Sequence, residues 1–275
     1  MPTQYQFGPL TIVALEDGTG PFFQPREQAF PTATAEHWQR ADALDPTATD
    51  AAGQWLLRFR SFALRLPDGR VILVDAGIGP ADSPAAAWAP VPGQLPAELA
   101  SAGIQPDEVS MVVLTHLHTD HVGWAVTAAE PTFRNARYLL QQTEYDAVAS
   151  INPGLVEAVL KPLEATDQLD LLGGGTSLAA AVRVVLTPGH TPGHQSVLLA
   201  NDGQELAITG DVLVHAVQLV DPRLPYAHDH DPAAAQQTRV RLLAELTGKG
   251  AVLATAHLGE PFLTPTAEGW LPPRR

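Results

Sequence analysis

The chain has 275 residues, of which 45% are apolar and 17% charged, and it contains no cysteine. This composition is typical of a globular protein with a buried core, and it excludes disulfide bonds, thiolate metal ligands and cysteine nucleophiles. Sixteen basic and thirty acidic residues give a net charge of −14, which disfavours binding to nucleic acid or to an anionic membrane. There is no signal-peptide pattern at the start and no apolar run long enough to span a bilayer, so we expect a cytoplasmic protein.

Short apolar runs predict β-strands along most of the chain, and helical patterns separate several of them. The predicted strands, in chain order, are 10–15, 55–66, 71–74, 111–115, 136–140, 182–187, 196–199, 206–209 and 251–255. The turn Pro67-Asp68-Gly69 indicates that the second and third of these form a hairpin. Helices are predicted at 95–102, 143–163 and 232–246, the last with Asp231 as its N-cap.

We expect one domain over residues 1–275. Residues 22–53, rich in Pro, Ala, Thr and Asp, are interpreted as an irregular N-terminal arm with a short helix. Long segments of this kind are usually functional or take part in contacts. The arm is therefore our candidate for a contact in a homodimer.

Several predicted strands are followed by a side chain that can bind a metal. The residues just beyond these strands are Asp75, His116, His190, Asp211 and His257. Polar side chains at strand ends are held in fixed positions by the rigid sheet, which is how many α/β proteins build a site. This arrangement predicts that the side chains form one cluster.

The densest group of such side chains lies in residues 115–121, where three histidines and an aspartate occur within six positions. In an extended segment, side chains two residues apart point the same way, so His116 and His118 can hold one ion. The turn that follows lets Asp120 and His121 face a second ion. Imidazole and carboxylate are ligands that zinc and similar metals prefer.

These segments resemble the metallo-β-lactamase-fold hydrolase superfamily. The matching segments are Val74-Asp75-Ala76-Gly77, His116-Leu117-His118-Thr119-Asp120-His121, Pro188-Gly189-His190-Thr191-Pro192-Gly193-His194, Gly210-Asp211 and His257. The resemblance implies an α/β fold, a four-layer αββα sandwich of two mixed β-sheets flanked by helices, with a binuclear metal site at one edge. It is specific for the superfamily and says little about the substrate, since one fold hosts many reactions.

The resemblance also implies a role for each residue of the cluster. His116, His118 and His190 would hold one metal ion, Asp120, His121 and His257 a second, and Asp211 would bridge the two. Asp75 would support one of the ligands, and His194 is either a second support of this kind or a hydrogen-bonded structural histidine. We expect two divalent ions per chain; five imidazoles and two carboxylates suit zinc best, and also manganese, iron or cobalt.

These expectations predict a metal-dependent hydrolase acting on a small molecule. A hydroxide shared by two ions would attack a lactone, an ester or a phosphotriester, and Asp120 would orient it and pass a proton to the leaving group. The nearest resemblance is to the lactonase and methyl parathion hydrolase-like branch. Two-zinc β-lactamases commonly have a cysteine where this chain has Asp211, so β-lactam hydrolysis is not expected.

Three alternatives remain open. A glyoxalase II-like thioesterase would share the segment 188–194, although only 18 residues follow His257, where that family has a basic helical extension. A mononuclear iron persulfide dioxygenase would use His116, His190 and Asp211 alone. The third alternative is a metal-binding scaffold without catalysis.

Four further residues are candidate substrate contacts: His215, Tyr226, Phe22 and Phe23. The run 228–231, His-Asp-His-Asp, has a metal-binding composition but does not follow a strand. It is interpreted as a solvated loop that ends in the N-cap of the next helix.

Overall fold

The structure is a computed structural model that describes residues 1–273, and it divides into two compact units. Unit 1 consists of Met1–Thr19 and Phe59–Gly174, and unit 2 consists of Gly20–Arg58 and the chain from Gly175 onward. Each unit is built around one mixed sheet. No helix in the described part of the chain is both long and apolar enough to cross a membrane.

The sheet of unit 1 has seven strands in the order β1-β2-β3-β4-β5-β8-β9. The first nine strands of the chain, which lie wholly or mostly in this unit, are β1 (Thr3–Phe7), β2 (Leu10–Pro21), β3 (Leu56–Arg65), β4 (Val71–Val74), β5 (Val109–Val113), β6 (Val126–Thr127), β7 (Glu130–Pro131), β8 (Arg137–Gln141) and β9 (Leu169–Leu172). β3 and β4 pair antiparallel, which confirms the predicted hairpin, whereas β4, β5, β8 and β9 pair in parallel. β6 and β7 form a separate two-stranded sheet.

The sheet of unit 2 also has seven strands, in the order β10 to β16. They are β10 (Thr176–Ala179), β11 (Val182–Leu186), β12 (Gln195–Asn201), β13 (Gln204–Ile208), β14 (Val252–Ala254), β15 (Phe262–Thr266) and β16 (Gly269–Leu271). β13 and β14 pair in parallel and the other neighbours pair antiparallel. The sequence did not predict the four edge strands of the two sheets, β1, β9, β10 and β16, or β15, which lies next to β16.

The helices, in chain order, are α1 (Arg26–Ala29), α2 (Ala35–Leu44), α3 (Leu95–Ser101), α4 (Thr119–Val122), α5 (Gln142–Ile151), α6 (Pro153–Leu155), α7 (Lys161–Ala165), α8 (Val217–Val220) and α9 (Pro232–Lys249). The prediction of one continuous helix over 143–163 was wrong. Asn152 leaves the helical region, with φ −144° and ψ 78°, directly before Pro153, because a residue before proline disfavours the helical conformation. A π-helical turn, Val156–Leu160, then precedes α7.

Two of these helices lie in the arm, residues 22–53. The Thr34 side chain and His37 form a capping box at the start of α2, so this part of the arm is regular rather than irregular. At the other end of unit 2, α9 begins after the predicted N-cap Asp231, whose side chain accepts hydrogen bonds from Ala233 N and Ala234 N.

The buried strands position the side chains at their ends. β4 is apolar and fully buried along its length, as expected for a central parallel strand, and it leads directly to Asp75. β5, next to it, leads to Thr115 and His116. In unit 2, α9 packs on β13, which leads to Asp211.

Candidate metal centre

Asp75 organises the start of the histidine motif in unit 1. Its backbone is in the left-handed region, with φ 61°, which is rare for a residue other than glycine and often marks a functional position. Its carboxylate accepts hydrogen bonds from Thr115 N at 2.8 Å, Thr115 Oγ1 at 2.9 Å and His121 Nδ1 at 2.8 Å. The structure therefore places Asp75 behind His121, and Asp75 also holds the residue before His116.

The four potential ligands of unit 1 form two close pairs. His116 Nε2 lies 2.9 Å from His118 Nδ1, and His121 Nε2 lies 3.4 Å from Asp120 Oδ2. His116, Asp120 and His121 are buried, and His118 is partly buried. The turn into α4 separates the two pairs, as the sequence motif predicts.

The histidine of the Pro-Gly-His segment in unit 2 is held against the first turns of α9. Gly189 has φ 132°, and a side chain there would lie 2.1 Å from Ala235 N, so only glycine fits beneath the helix. Thr238 Oγ1 donates to Pro188 O at 2.7 Å. These contacts place His190 Nε2 3.3 Å from Asp211 Oδ2.

Asp211 presents its two carboxylate oxygens to two different histidines of unit 2. Oδ2 faces His190, while Oδ1 lies 3.0 Å from His257 Nε2. The Asp211 backbone N–H donates to His194 Nε2 at 3.0 Å. His194 is fully buried, and its Nδ1 lies 2.8 Å from Thr187 Oγ1, so it fixes the backbone at Asp211.

Four of the histidines share one orientation, in which Nδ1 faces a fixed acceptor and Nε2 faces another candidate ligand. The acceptors are Thr115 Oγ1 for His116, Asp75 for His121, Asp229 for His190 and the Arg58 carbonyl for His257, at 2.6–3.0 Å. A carbonyl oxygen can only accept, and the Thr115 hydroxyl already donates to Asp75. Each Nδ1 therefore carries the proton, which leaves the Nε2 lone pair for a cation.

The donor set fits divalent metal ions. Two ligands of one tetrahedral ion at about 2.0–2.2 Å lie about 3.3–3.5 Å apart. The four pairs of candidate ligand atoms in the two units are 2.9–3.4 Å apart. A cation could therefore contact both atoms of such a pair, and the two Asp211 oxygens face different histidines.

The charges around His190 also favour a positive charge at this position. Burial, the largest single effect, lowers the pKa of its imidazole, but hydrogen bonds to Asp211 and Asp229 together with their charges raise that pKa to about 9. Two carboxylates thus favour positive charge at this point.

The model of the Metallo-beta-lactamase superfamily matches residues 60–257. This range is most of the chain and contains all seven candidate ligands. The chain belongs to the metallo-beta-lactamase superfamily. Its metallo-beta-lactamase fold, with mixed β-sheets and helices, confirms the predicted fold class.

Individual members of the superfamily resemble parts or all of the chain. The N-acyl homoserine lactonase AiiA of Bacillus thuringiensis subsp. kurstaki is 26% identical over 144 residues, which cover 52% of this chain and 54% of AiiA. The chain thus spans about half the length of the curated relatives it matches. Among solved structures, the hydrolase AbOPH has a TM-score of 0.83 and 25% identity, with coverage of 100% of this chain and 98% of AbOPH. AidC, a dizinc quorum-quenching lactonase, has a TM-score of 0.79 and 21% identity, with coverage of 100% of this chain and 98% of AidC. At this identity the comparison shows a shared fold.

The four candidate substrate residues of the chain lie in unit 2, in or beside an aromatic cluster. Tyr226 is buried, and its ring is nearly parallel to that of His190 at 6.0 Å. Phe22 is also buried, with Phe23 beside it at 4.1 Å between ring centroids. Phe23 is the exception in exposure, with 58% of its surface accessible.

His215 is deeper than expected for a residue that touches substrate. It is 1% exposed and packs against Phe30, Trp38 and Trp55 at 5.3–5.7 Å between ring centroids. Its Nδ1 accepts from Val217 N at 3.0 Å. Burial, the largest effect, lowers the pKa of its imidazole to about 3, and nearby Arg26 adds to the shift.

Two acidic residues that sequence reasoning missed support the candidate ligands. The interpretation of 228–231 as a solvated loop was wrong for Asp229, which is buried and faces His190, although His228, His230 and Asp231 are exposed. In unit 1, buried Glu144 accepts from Leu117 N at 2.9 Å, inside the histidine motif. Glu144 comes three residues after β8, in the first turn of α5. Neither Glu144 nor Asp229 lies in a recognisable motif, so the sequence did not single out these contacts.

Proposed function

We propose that this chain is a dinuclear metallohydrolase that opens the ring of a lactone. The observation that carries the proposal is the common orientation of His116, His121, His190 and His257. Each has its Nδ1 proton anchored and its Nε2 lone pair directed towards another ligand. A histidine that serves only for packing has no need of such an arrangement, and four in one chain indicate a metal centre.

In this proposal the candidate ligands would hold two ions. His116, His118 and His190 would hold the first ion, Asp120, His121 and His257 would hold the second, and Asp211 would serve both. Zinc is the metal we propose, because imidazole and carboxylate ligands at these separations suit a tetrahedral ion. That AidC is a dizinc protein of the same fold supports this choice.

When bound, the two ions supply a water molecule of lowered pKa and polarise the carbonyl of the substrate. The residues of the chain position this chemistry. Asp211 would offer one carboxylate oxygen to each ion, while Asp75 orients His121 and His194 holds the backbone of Asp211. Asp120 orients the attacking water and takes up its proton, which then passes to the leaving alkoxide.

The aromatic residues near His190 are the proposed binding surface for an apolar part of the substrate. From His190, ring contacts continue to Tyr226 at 6.0 Å and to His228 at 5.2 Å, and then to exposed Phe23 at 5.3 Å. Phe22 packs beside Phe23. An acyl chain next to the lactone ring would cover such rings, and the AiiA relative is an N-acyl homoserine lactonase. His215 contributes from beneath, by supporting Phe30, on which Tyr226 stacks at 5.1 Å.

A substrate panel tests the proposal. Purified protein, reconstituted with zinc and in parallel with ferrous iron, is assayed on N-hexanoyl homoserine lactone, an aryl ester, a dialkyl aryl phosphotriester, an acyl-glutathione thioester and glutathione persulfide. We expect the lactone to give the highest kcat/KM. A highest kcat/KM on the aryl ester or the phosphotriester would retain the metallohydrolase and replace its substrate. Turnover of the thioester alone would favour a glyoxalase II-like enzyme, and oxygen consumption with the persulfide would favour the dioxygenase; both results would refute the lactonase proposal.

We also propose that the arm, residues 22–53, contacts a second copy of the chain in a homodimer. Phe23 and Arg26 lie in this arm, and Phe23 is exposed. Light scattering should give twice the mass of one chain, and the mass of one chain would contradict the proposal.

A further inference from the structure

Of the acidic residues outside the sequence motifs, Asp229 makes the closest contact with a candidate ligand. Its Oδ1 lies 3.0 Å from His190 Nδ1, and only 1% of its side chain is exposed. His190 Nδ1 donates this hydrogen bond, because a carboxylate oxygen can only accept. Asp229 therefore fixes both the tautomer and the direction of the imidazole.

The backbone on either side holds Asp229 in this position. His230 N donates to His190 O at 3.0 Å, and Asp231 N donates to Gly189 O at 2.9 Å. The segments 189–190 and 229–231 are thus joined by two backbone hydrogen bonds in addition to the side-chain contact. This makes the placement of the carboxylate a property of the fold rather than of one flexible side chain.

A buried arginine of α9 supplies the charge that a buried carboxylate needs. Arg239 Nη2 lies 3.8 Å from Asp229 Oδ2, and 1% of the Arg239 side chain is exposed. The guanidinium also donates to the carbonyl oxygens of Val212, Pro222 and Leu224 at 2.9–3.0 Å. Because Val212 directly follows Asp211, one arginine connects the loop of the bridging ligand to the carboxylate behind His190.

We propose that Asp229 is a positioning residue that fixes His190 for metal binding, with Arg239 as its buried counter-charge. The inference rests on the proposed metal centre. A carboxylate that accepts a hydrogen bond from the Nδ1–H of a ligating histidine orients the ring and makes Nε2 a stronger electron-pair donor to the metal. Removing such a group typically lowers metal affinity about 10- to 100-fold.

The test is a competition titration of zinc ions against a chromophoric chelator, with wild type, Asp229→Asn and Asp229→Ala. Asn keeps the shape of the side chain and can still accept a hydrogen bond from Nδ1–H, but it lacks the charge. We therefore expect about a 10-fold loss of zinc affinity for Asp229→Asn and a larger loss for Asp229→Ala. Asp231→Ala is the matched control. Asp231 lies two residues away and caps α9 without contacting a candidate ligand, so its loss should lower stability and leave zinc affinity unchanged.

Unfolding of the metal-free proteins by denaturant separates positioning from a purely structural role. Zinc affinities of both Asp229 variants within twofold of wild type would overturn the inference, and so would a loss of metal-free stability with unchanged affinity. His190→Ala distinguishes this failure from that of the proposed function. If His190→Ala binds two zinc ions as tightly as wild type, the metal centre itself is wrong; if it loses zinc while the Asp229 variants do not, only the role of Asp229 is wrong.

Discussion

Four of the five candidate histidine ligands are anchored by acceptors of three kinds: a hydroxyl, two carboxylates and a backbone carbonyl. Thr115 Oγ1, the Asp75 and Asp229 carboxylates and the Arg58 carbonyl all occupy the same position relative to an imidazole. These four histidines therefore share a fixed Nδ1 proton, although different chemical groups hold it. The chemistry of the proposed centre depends on this result, because only a fixed Nε2 lone pair is aimed at a metal.

The first prediction concerns the two residues most directly tied to turnover. His116→Ala removes a buried ligand, and we expect it to lower kcat/KM on the best substrate by at least about a thousandfold. Asp120→Asn keeps the shape but loses the proton acceptor, and should cost about 100- to 10,000-fold in kcat. His37→Ala is the control, because His37 caps α2 and should affect stability alone. Steady-state kinetics on zinc-loaded protein would contradict the mechanism if Asp120→Asn kept the wild-type rate.

The second prediction concerns His215. Its pKa is lowered to about 3 by burial and by Arg26, against the opposing charges of Asp45 and Asp42. The unfolded chain binds the proton below a pH of about 6.5 and the folded chain does not, so this contribution to stability is present above pH 6.5 and is lost as the pH falls towards 3. Between pH 7 and 5 the loss amounts to about 2 kcal/mol.

Denaturant unfolding of wild type and His215→Phe at pH 7 and pH 5 measures this contribution. Any metal loss at low pH affects both proteins, so the difference between their pH dependences isolates the imidazole. We expect the variant to lose about 2 kcal/mol less than wild type over this range. Equal losses in the two proteins would show that His215 is not held neutral.

Among single residues, the candidate ligands carry a signal in the sequence, as do Asp75 and His194, whereas the contacts made by Asp229 and the Arg58 carbonyl carry none. His116 to His121 are adjacent in the chain and recognisable by spacing. Asp229 lies 39 residues from His190, and the Arg58 carbonyl lies 199 residues from His257, so their contacts arise only on folding. A carbonyl acceptor has no side-chain signature in any case.

The packing of α9 on the Pro-Gly-His segment gives a prediction for one element. Gly189→Ala places a Cβ 2.1 Å from Ala235 N in a backbone conformation with φ 132°, so α9 or the loop must shift. We expect a loss of about 3 kcal/mol in the free energy of unfolding, together with weaker zinc binding. Gly203→Ala is the matched control, because Gly203 has φ 78° with nothing within 4 Å of an added Cβ. That control should lose about 1 kcal/mol and keep its zinc affinity; similar behaviour of the two variants would refute the packing argument.

Strands with strong apolar patterns were predicted well, while element boundaries set by local chemistry were not. β4 and β5 are central, and their apolar residues are buried on both sides, so the pattern is unmistakable. The helix predicted at 143–163 was wrong because apolar periodicity outweighed the Asn152-Pro153 step. That dipeptide was visible in the sequence and disfavours a continuous helix.

Bound metal should contribute to the stability of the whole molecule. Each unit carries buried carboxylates beside candidate imidazole ligands, and cations between them would bind the folded chain only. Two ions, each present at a hundredfold excess over its dissociation constant, should stabilise the fold by about 5 kcal/mol. Calorimetry before and after chelation should therefore show a fall in Tm of about 10 °C. An unchanged Tm after complete removal of metal would contradict this view of the centre.

The central claim is that one chain holds two metal ions, with Asp211 between them. Elemental analysis of protein purified without added metal, referred to a protein concentration from amino-acid analysis, tests it most directly. We expect two equivalents of divalent metal per chain in wild type, chiefly zinc, and fewer than two in His257→Ala. A wild-type content of one equivalent of iron, unchanged in His257→Ala, would contradict the dinuclear centre and favour a mononuclear iron site.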